Sequence, residues 1–193
     1  MDHEKKKHVC RRVVLTGYRA CGKTTVGRLL AARLGWPFLD SDEEIQRRCG
    51  RTVAELVAAE GWPAFRALER QLLEELAEGP PLVLATGGGA IMHREAWTRL
   101  RQQALVVWLQ ADIAVIHQRL AEVAAKGQRP SLTAAGLRDE VGDVLAAREP
   151  LYREGSDCTI DTGILGADVA AAHIADLVTA KKTQPLGEDH GRK

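Results

Sequence analysis

The run TGYRACGKTTVG holds the spacing Gly17-x4-Gly22-Lys23-Thr24, with Ala20, Cys21 and Thr25 filling the loop and its exit. A tight glycine loop that opens a helix presents backbone N–H groups and the positive helix end to an anion, which suits phosphate. Lys23 would reach β- and γ-phosphates, and the Thr24 hydroxyl would meet magnesium. A flexible turn ahead of an amphipathic helix would explain the glycines alone. A lysine beside the last glycine is an odd way to begin ordinary packing.

Asp40 and Asp42, in FLDSDEE, lie at the expected end of a strand, where extended backbone would turn both the same way. One of the pair would meet magnesium and the other a hydroxyl, although Asp42 before Glu43-Glu44 also reads as a helix N-cap. Thr86-Gly87-Gly88-Gly89-Ala90 follows an apolar run. Glycine costs about 0.5–1 kcal/mol relative to alanine in regular structure, so something nearby needs the room. A tight turn fits that description, and so does backbone closely approaching a bound substrate. Arg66, Arg129 and Arg148 each read singly as solvated surface residues. The six histidines show no metal-ligand spacing, and Met92 and the four tryptophans read as packing residues.

A scaffold must bring these segments together. Short apolar runs alternate with longer helical ones, the βα rhythm of a parallel sheet covered on both faces. Strands are expected at 13–16, 36–40, 82–85, 104–109 and 158–160. Helices are expected at 23–34, ended by Gly35, and at 43–48. A longer one runs from the Thr52–Glu55 capping box to about 78, broken near Gly61-Trp62-Pro63. Others run from the glycines to about 102, from Asp112 onward, up to 148 before a turn at Pro150, and over 167–181. The Gly/Pro-punctuated stretch 126–136 interrupts the pattern. In such sheets ligands bind beyond the carboxyl ends of the strands, where the candidate segments fall.

The chain has 193 residues, 45% of them hydrophobic, enough for one sizeable core and one domain. With 27 basic and 26 acidic residues it has no global field to attract nucleic acid or an anionic membrane. MDHEKKKH lacks the apolar core of a secretory signal, and no run of about 18 apolar residues is present, so a cytoplasmic protein is expected. Cys10, Cys21, Cys49 and Cys158 form no C-x-x-C pair, which speaks for reduced thiols. The chain contains no asparagine, which excludes the N-K-x-D guanine-reading motif of a GTPase switch.

Taken together, GYRACGKTTVGRLLA, LDSDEEI, GWPAFRALE, LVLATGGGAI, RPSL and REPLYRE resemble the motifs of the shikimate kinase family, in the family's order and over most of the chain. The resemblance implies a three-layer α/β/α P-loop kinase fold with a five-stranded parallel sheet and a mobile lid at about 120–137. The implied organisation is one kinase domain over 9–181, flanked by a flexible 1–8 and a disordered 182–193. It implies transfer of the γ-phosphoryl group of ATP, with Mg2+, to the 3-hydroxyl of shikimate by a monomer. Carried over, Gly17, Ala20, Cys21, Gly22, Lys23, Thr24 and Thr25 bind ATP, with Arg119 at adenine and Arg129 closing over the phosphates. Thr24 and Asp40 serve the metal. Asp42 holds shikimate hydroxyls and takes the proton, Arg66 and Arg148 grip the carboxylate, and Gly87, Gly88 and Gly89 line the pocket. The family usually has another glycine where this chain has Ala20. Alternatives are another small P-loop kinase, such as a gluconate or nucleoside monophosphate kinase, or a nonenzymatic nucleotide-binding module. The paired arginines favour an acid over a nucleotide, and the intact Lys23, Thr24, Asp40 and Asp42 favour turnover.

Overall fold

The structure, a computed structural model, describes residues 11–125 and 137–183. Strands β1 (Arg12–Thr16), β2 (Phe38–Asp40), β3 (Leu82–Ala85), β4 (Ala104–Gln110) and β5 (Cys158–Asp161) pair in parallel in the order β2-β3-β1-β4-β5. Their alternating side chains feed two cores. Val13, Leu15, Val107 and Leu109 pack with Val26 and Leu30 of α1 (Lys23–Leu34) and Ile174 and Val178 of α7 (Ala167–Thr183). Val14, Val106 and Trp108 meet the opposite layer: Leu73 of α3 (Val53–Glu75), Trp97 and Leu100 of α4 (Arg94–Arg101), and Tyr152 of α6 (Leu137–Gly155). Helix α2 (Ser41–Cys49) makes a small satellite core with α3 through Ile45, Leu56, Phe65 and Leu72, and α5 (Ile113–Ala125) carries Ile116 against Tyr18 and Val141.

Two features of this topology place the site. Neighbouring strands β1 and β3 are followed by helices on opposite faces, α1 and α4, so a crevice opens beyond their carboxyl ends. The register brings the three ends level, with Leu15 and Asp40 both opposite Ala85. The Thr86 N–H extends the ladder to the Leu15 carbonyl at 3.0 Å.

The structure differs from the sequence expectations at several boundaries. Strand β2 begins at Phe38 rather than 36 and ends at Asp40, whose carboxylate accepts from the N–H groups of Asp42 (3.0 Å) and Glu43 (3.4 Å). Asp40 is therefore the N-cap, the helix starts at Ser41 rather than 43, and Asp42 lies in its first turn rather than beside Asp40 on a strand. Helix α3 is kinked at Gly61 (φ 80°), as expected, and ends at Glu75, short of 78. After the three glycines comes a 3-10 turn, Ala90–Met92, before α4. Pro150 ends nothing: α6 passes through it, because Tyr152 beyond it is buried and stacked on Trp108 at 5.9 Å. Helix α7 continues to Thr183, past the expected 181. Helices α5 and α6 occupy the two ends of the expected lid interval, and 126–136, including Arg129, lies outside the described residues, as do 1–10 and 184–193.

Candidate active site

The loop between β1 and α1 turns on three left-handed residues, Gly17 (φ 135°), Ala20 (φ 63°) and Gly22 (φ 90°). A side chain at Gly17 would drive into the Leu109 carbonyl, so that position admits glycine alone. Ala20 holds a conformation that disfavours a Cβ by about 1–2 kcal/mol. Gly22 is the N-cap of α1, no side chain caps the first turn, and no acidic residue lies within it. The N-terminal amides and the positive end of α1 thus face out of the loop, which is the arrangement that holds phosphate oxygens.

Lys23 folds over this loop and donates to the carbonyls of Gly17 (2.8 Å) and Tyr18 (2.7 Å). Cys21 is buried, with its sulfur 3.6 Å from Lys23 Nζ. Thr25 is exposed. Thr24 Oγ1 donates to Asp40 Oδ2 at 2.7 Å, so a hydroxyl and a carboxylate from two elements share one point. Two hard oxygens are what Mg2+ takes from a protein when phosphates and water supply its other ligands, and the pair fits that ion. No group of three or more His, Cys, Asp or Glu able to hold a metal occurs among the described residues. Arg119 of α5 donates to the Ala20 carbonyl (3.2 Å) and to the Thr162 carbonyl (2.7 Å), tying the loop to the end of β5. The Thr162 hydroxyl, 2.8 Å from the Cys21 carbonyl and 3.1 Å from that of Gln110, braces the same junction.

On the other side of the crevice each glycine of the triplet makes room for something different. A Cβ at Gly87 would sit 2.5 Å from Glu69 Oε1 and 2.7 Å from Asp42 Oδ1. At Gly88 it would lie 3.4 Å from the Gly17 carbonyl, close to Tyr152 and Arg148, and at Gly89 it would collide with the Arg66 guanidinium. None of the three has a positive φ, so space rather than backbone conformation explains them. The Gly87 N–H donates to Ser41 Oγ (2.8 Å), and the Gly88 carbonyl accepts from Arg148 Nη1 (3.2 Å) and from the Tyr152 hydroxyl (2.5 Å). Burial pushes the Tyr152 phenol well above its ordinary range, so it stays a neutral donor.

Arg66 is half-buried, with its guanidinium over the rings of Trp62 (5.2 Å) and Phe65 (5.3 Å) and one nitrogen on the Glu69 carboxylate. Glu69 is 0% exposed, and the same oxygen contacts His93 Nε2 at 3.0 Å. Asp42, Arg66, Arg148 and the glycines therefore gather at one wall, while Lys23, Thr24, Asp40 and Arg119 gather at the loop. Sequence reasoning missed Ser41, Trp62, Glu69, His93, Tyr152 and Thr162. The Arg66-x-x-Glu69 spacing, one helical turn, was a signal for Glu69; His93 and Tyr152 carry none without the fold.

Comparisons with known proteins bear on this arrangement. The shikimate kinase family model matches residues 19–179. A shikimate kinase of Nitratidesulfovibrio vulgaris is 44% identical over 172 residues, 89% of this chain and 95% of that protein. Shikimate kinase 2 of an Enterobacter species is 43% identical over 168 residues, covering 87% and 94%. Among solved structures, shikimate kinase from Acinetobacter baumannii in complex with shikimate superposes with a TM-score of 0.82 at 38% identity, over 92% of this chain and 97% of that one.

Proposed function

The chain belongs to the shikimate kinase family, and on that premise we propose how its residues move the γ-phosphoryl group of ATP to the 3-hydroxyl of shikimate, giving shikimate 3-phosphate and ADP. It is an ATP-dependent phosphotransferase to an alcohol, in aromatic amino-acid biosynthesis. The observation that carries the assignment of roles is the closeness of two walls. Gly88, which holds Arg148 and lies between the neighbours of Asp42 and Arg66, comes so near Gly17 of the phosphate loop that an added Cβ would lie 3.4 Å from its carbonyl. An acid gripped at the first wall lies beside phosphates gripped at the second.

Arg66 and Arg148 bind the shikimate carboxylate, where planar guanidinium groups match a planar anion. The glycine backbone and Asp42 hold the ring hydroxyls, and Asp42 accepts the proton of the 3-hydroxyl as transfer proceeds. Phosphoryl transfer asks for alignment and charge neutralisation more than for a strong base, so Asp42 acts chiefly by orienting the nucleophile. Lys23 leaves the loop carbonyls for the β- and γ-phosphates and balances charge on the transferring group. Gly17, Ala20, Cys21, Gly22 and Thr25 shape or lead out of the backbone cradle. Thr24 and Asp40 would hold Mg2+, which when bound neutralises phosphate charge. Arg119, whose in-plane N–H groups are engaged by backbone, offers a flat face to adenine. Arg129 joins this scheme through the family resemblance, closing over ATP and keeping water out. The working form proposed is a cytoplasmic monomer, as the family resemblance implies; no helix among the described residues is long and apolar enough to cross a membrane.

The test is magnesium-dependent ADP release with shikimate, gluconate, AMP or no acceptor. ADP release with shikimate alone, accompanied by shikimate 3-phosphate, is the expected result. Release with gluconate or AMP instead would overturn the roles of Asp42, Arg66 and Arg148.

A further inference from the structure

Arg66 has two neighbours that can decide how it meets an acceptor. Glu69, one turn along α3, contacts it with Oε2 only; Oε1 is buried without a hydrogen bond. Left to itself, a buried carboxylate beside a guanidinium turns to form a two-pronged pair, which is stronger than a single contact. Such a pair would consume the edge of Arg66 that a second carboxylate needs. What opposes the rotation is His93, whose Nε2 lies 3.0 Å from the same Oε2. A carboxylate oxygen accepts, so the contact pins that oxygen in the tautomer of His93 that carries its proton on Nε2.

The placement of His93 suits this task. It sits at the N-cap of α4, directly beyond the 3-10 turn that follows the glycines, yet its imidazole caps nothing. Its side chain is 13% exposed and its partner 0%, so water competes little for the bond. Arg66 also lies over two ring faces, which attract the cation without fixing its rotation in the plane, and against Gly89, which leaves it room but offers no side chain to hold it. An interior histidine that merely stitches α3 to the β3–α4 connection would show the same bond. The two readings part on what its loss does to acceptor binding.

We propose that His93 is a positioning residue for acceptor recognition: by holding Glu69 on one oxygen it keeps a guanidinium edge of Arg66 open for the carboxylate of the acid substrate. The inference rests on the reading of Arg66 given above and deepens it.

Steady-state kinetics at saturating ATP, with shikimate varied, test it in four variants whose melting curves are measured alongside. In His93→Leu the KM for shikimate rises roughly 10-fold, the size expected for one lost hydrogen bond, while kcat falls by less than about 3-fold. His93→Gln, whose amide can donate to the same oxygen, recovers most of that loss. Arg66→Ala raises the KM further, and adding His93→Leu to it costs nothing more, because the two act through one contact. If Gln behaves like Leu, or if the double variant shows additive losses, His93 is structural only and the proposal falls while Arg66 keeps its role. If Arg66→Ala leaves the KM unchanged, the carboxylate reading itself fails and takes the proposal with it.

Discussion

On the side of the crevice proposed for phosphate most candidate recognition groups lie within residues 17–25, and many of them are main-chain N–H groups at the start of α1. On the side proposed for the acceptor they are side chains from α2, α3, the β3–α4 connection and α6, brought together around three glycines. The contrast is physical. A phosphate can be held by backbone at a helix end, so a short contiguous loop suffices. A hydroxylated acid needs donors, an acceptor and paired cations at fixed separations, and no short segment can point them all inward. The two helices nearest the crevice show the same division. Helix α2 caps itself with Asp40 and places Asp42, Glu43 and Glu44 in its first turn, whereas α1 has neither a side-chain cap nor an acid there.

Breaking the phosphate side should therefore act on turnover and breaking the acceptor side on substrate affinity. Lys23→Met is expected to lower kcat by roughly 10²–10³-fold, the range seen when one donor to developing charge is removed. Rapid-quench measurement of the chemical step at saturating substrates checks it. Arg148→Ala comes next, with a rise in the KM for shikimate of about 10- to 100-fold, as befits a lost charged hydrogen-bonding partner. A change confined to the KM for ATP would place Arg148 on the wrong wall.

The glycines sharpen the comparison further. Gly89→Ala pushes into the Arg66 guanidinium and should raise the KM for shikimate by roughly 10-fold through misplacement of that group. Gly142→Ala, in α6 with open space around it, should leave the KM alone and stabilise the helix by about 1 kcal/mol, read from urea unfolding. On the phosphate side Ala20→Gly relieves the left-handed strain at φ 63° and is expected to raise the unfolding free energy by about 1 kcal/mol or less.

The smallest effect concerns Glu44 and its arginines on α2. Hydrogen bonds from Arg47 and then Arg48 hold the Glu44 carboxyl down to about 2. A carboxyl depressed in the folded state adds stability that is complete above its unfolded value, near 4.5, and is lost as pH falls toward 2. Glu44→Gln should accordingly lose less stability than the parent between pH 5 and pH 3 in urea titrations. Because Arg47 and Arg48 are exposed, the difference will be modest and salt-sensitive.

The residue pattern alone determined the βα alternation and the phosphate loop, because each is written within a few residues of chain, and the alternation in turn implied a parallel sheet. It also marked Asp40, Asp42 and the glycine triplet as unusual, while Arg66 and Arg148 read as ordinary surface residues until the resemblance to a family joined them to that site. What it could not decide was any choice between local alternatives. Asp42 read as the helix cap until the level ends of β2 and β3 set Asp40 at the helix start. Pro150 looked like a stop until the burial of Tyr152 drew α6 past it. Three glycines in a row could have been a turn; the packing of Asp42, Glu69, Tyr152 and Arg66 against them makes them a space shared by side chains from distant elements. Those contacts join residues many turns apart along the chain. Only the folded chain decides which of them meet.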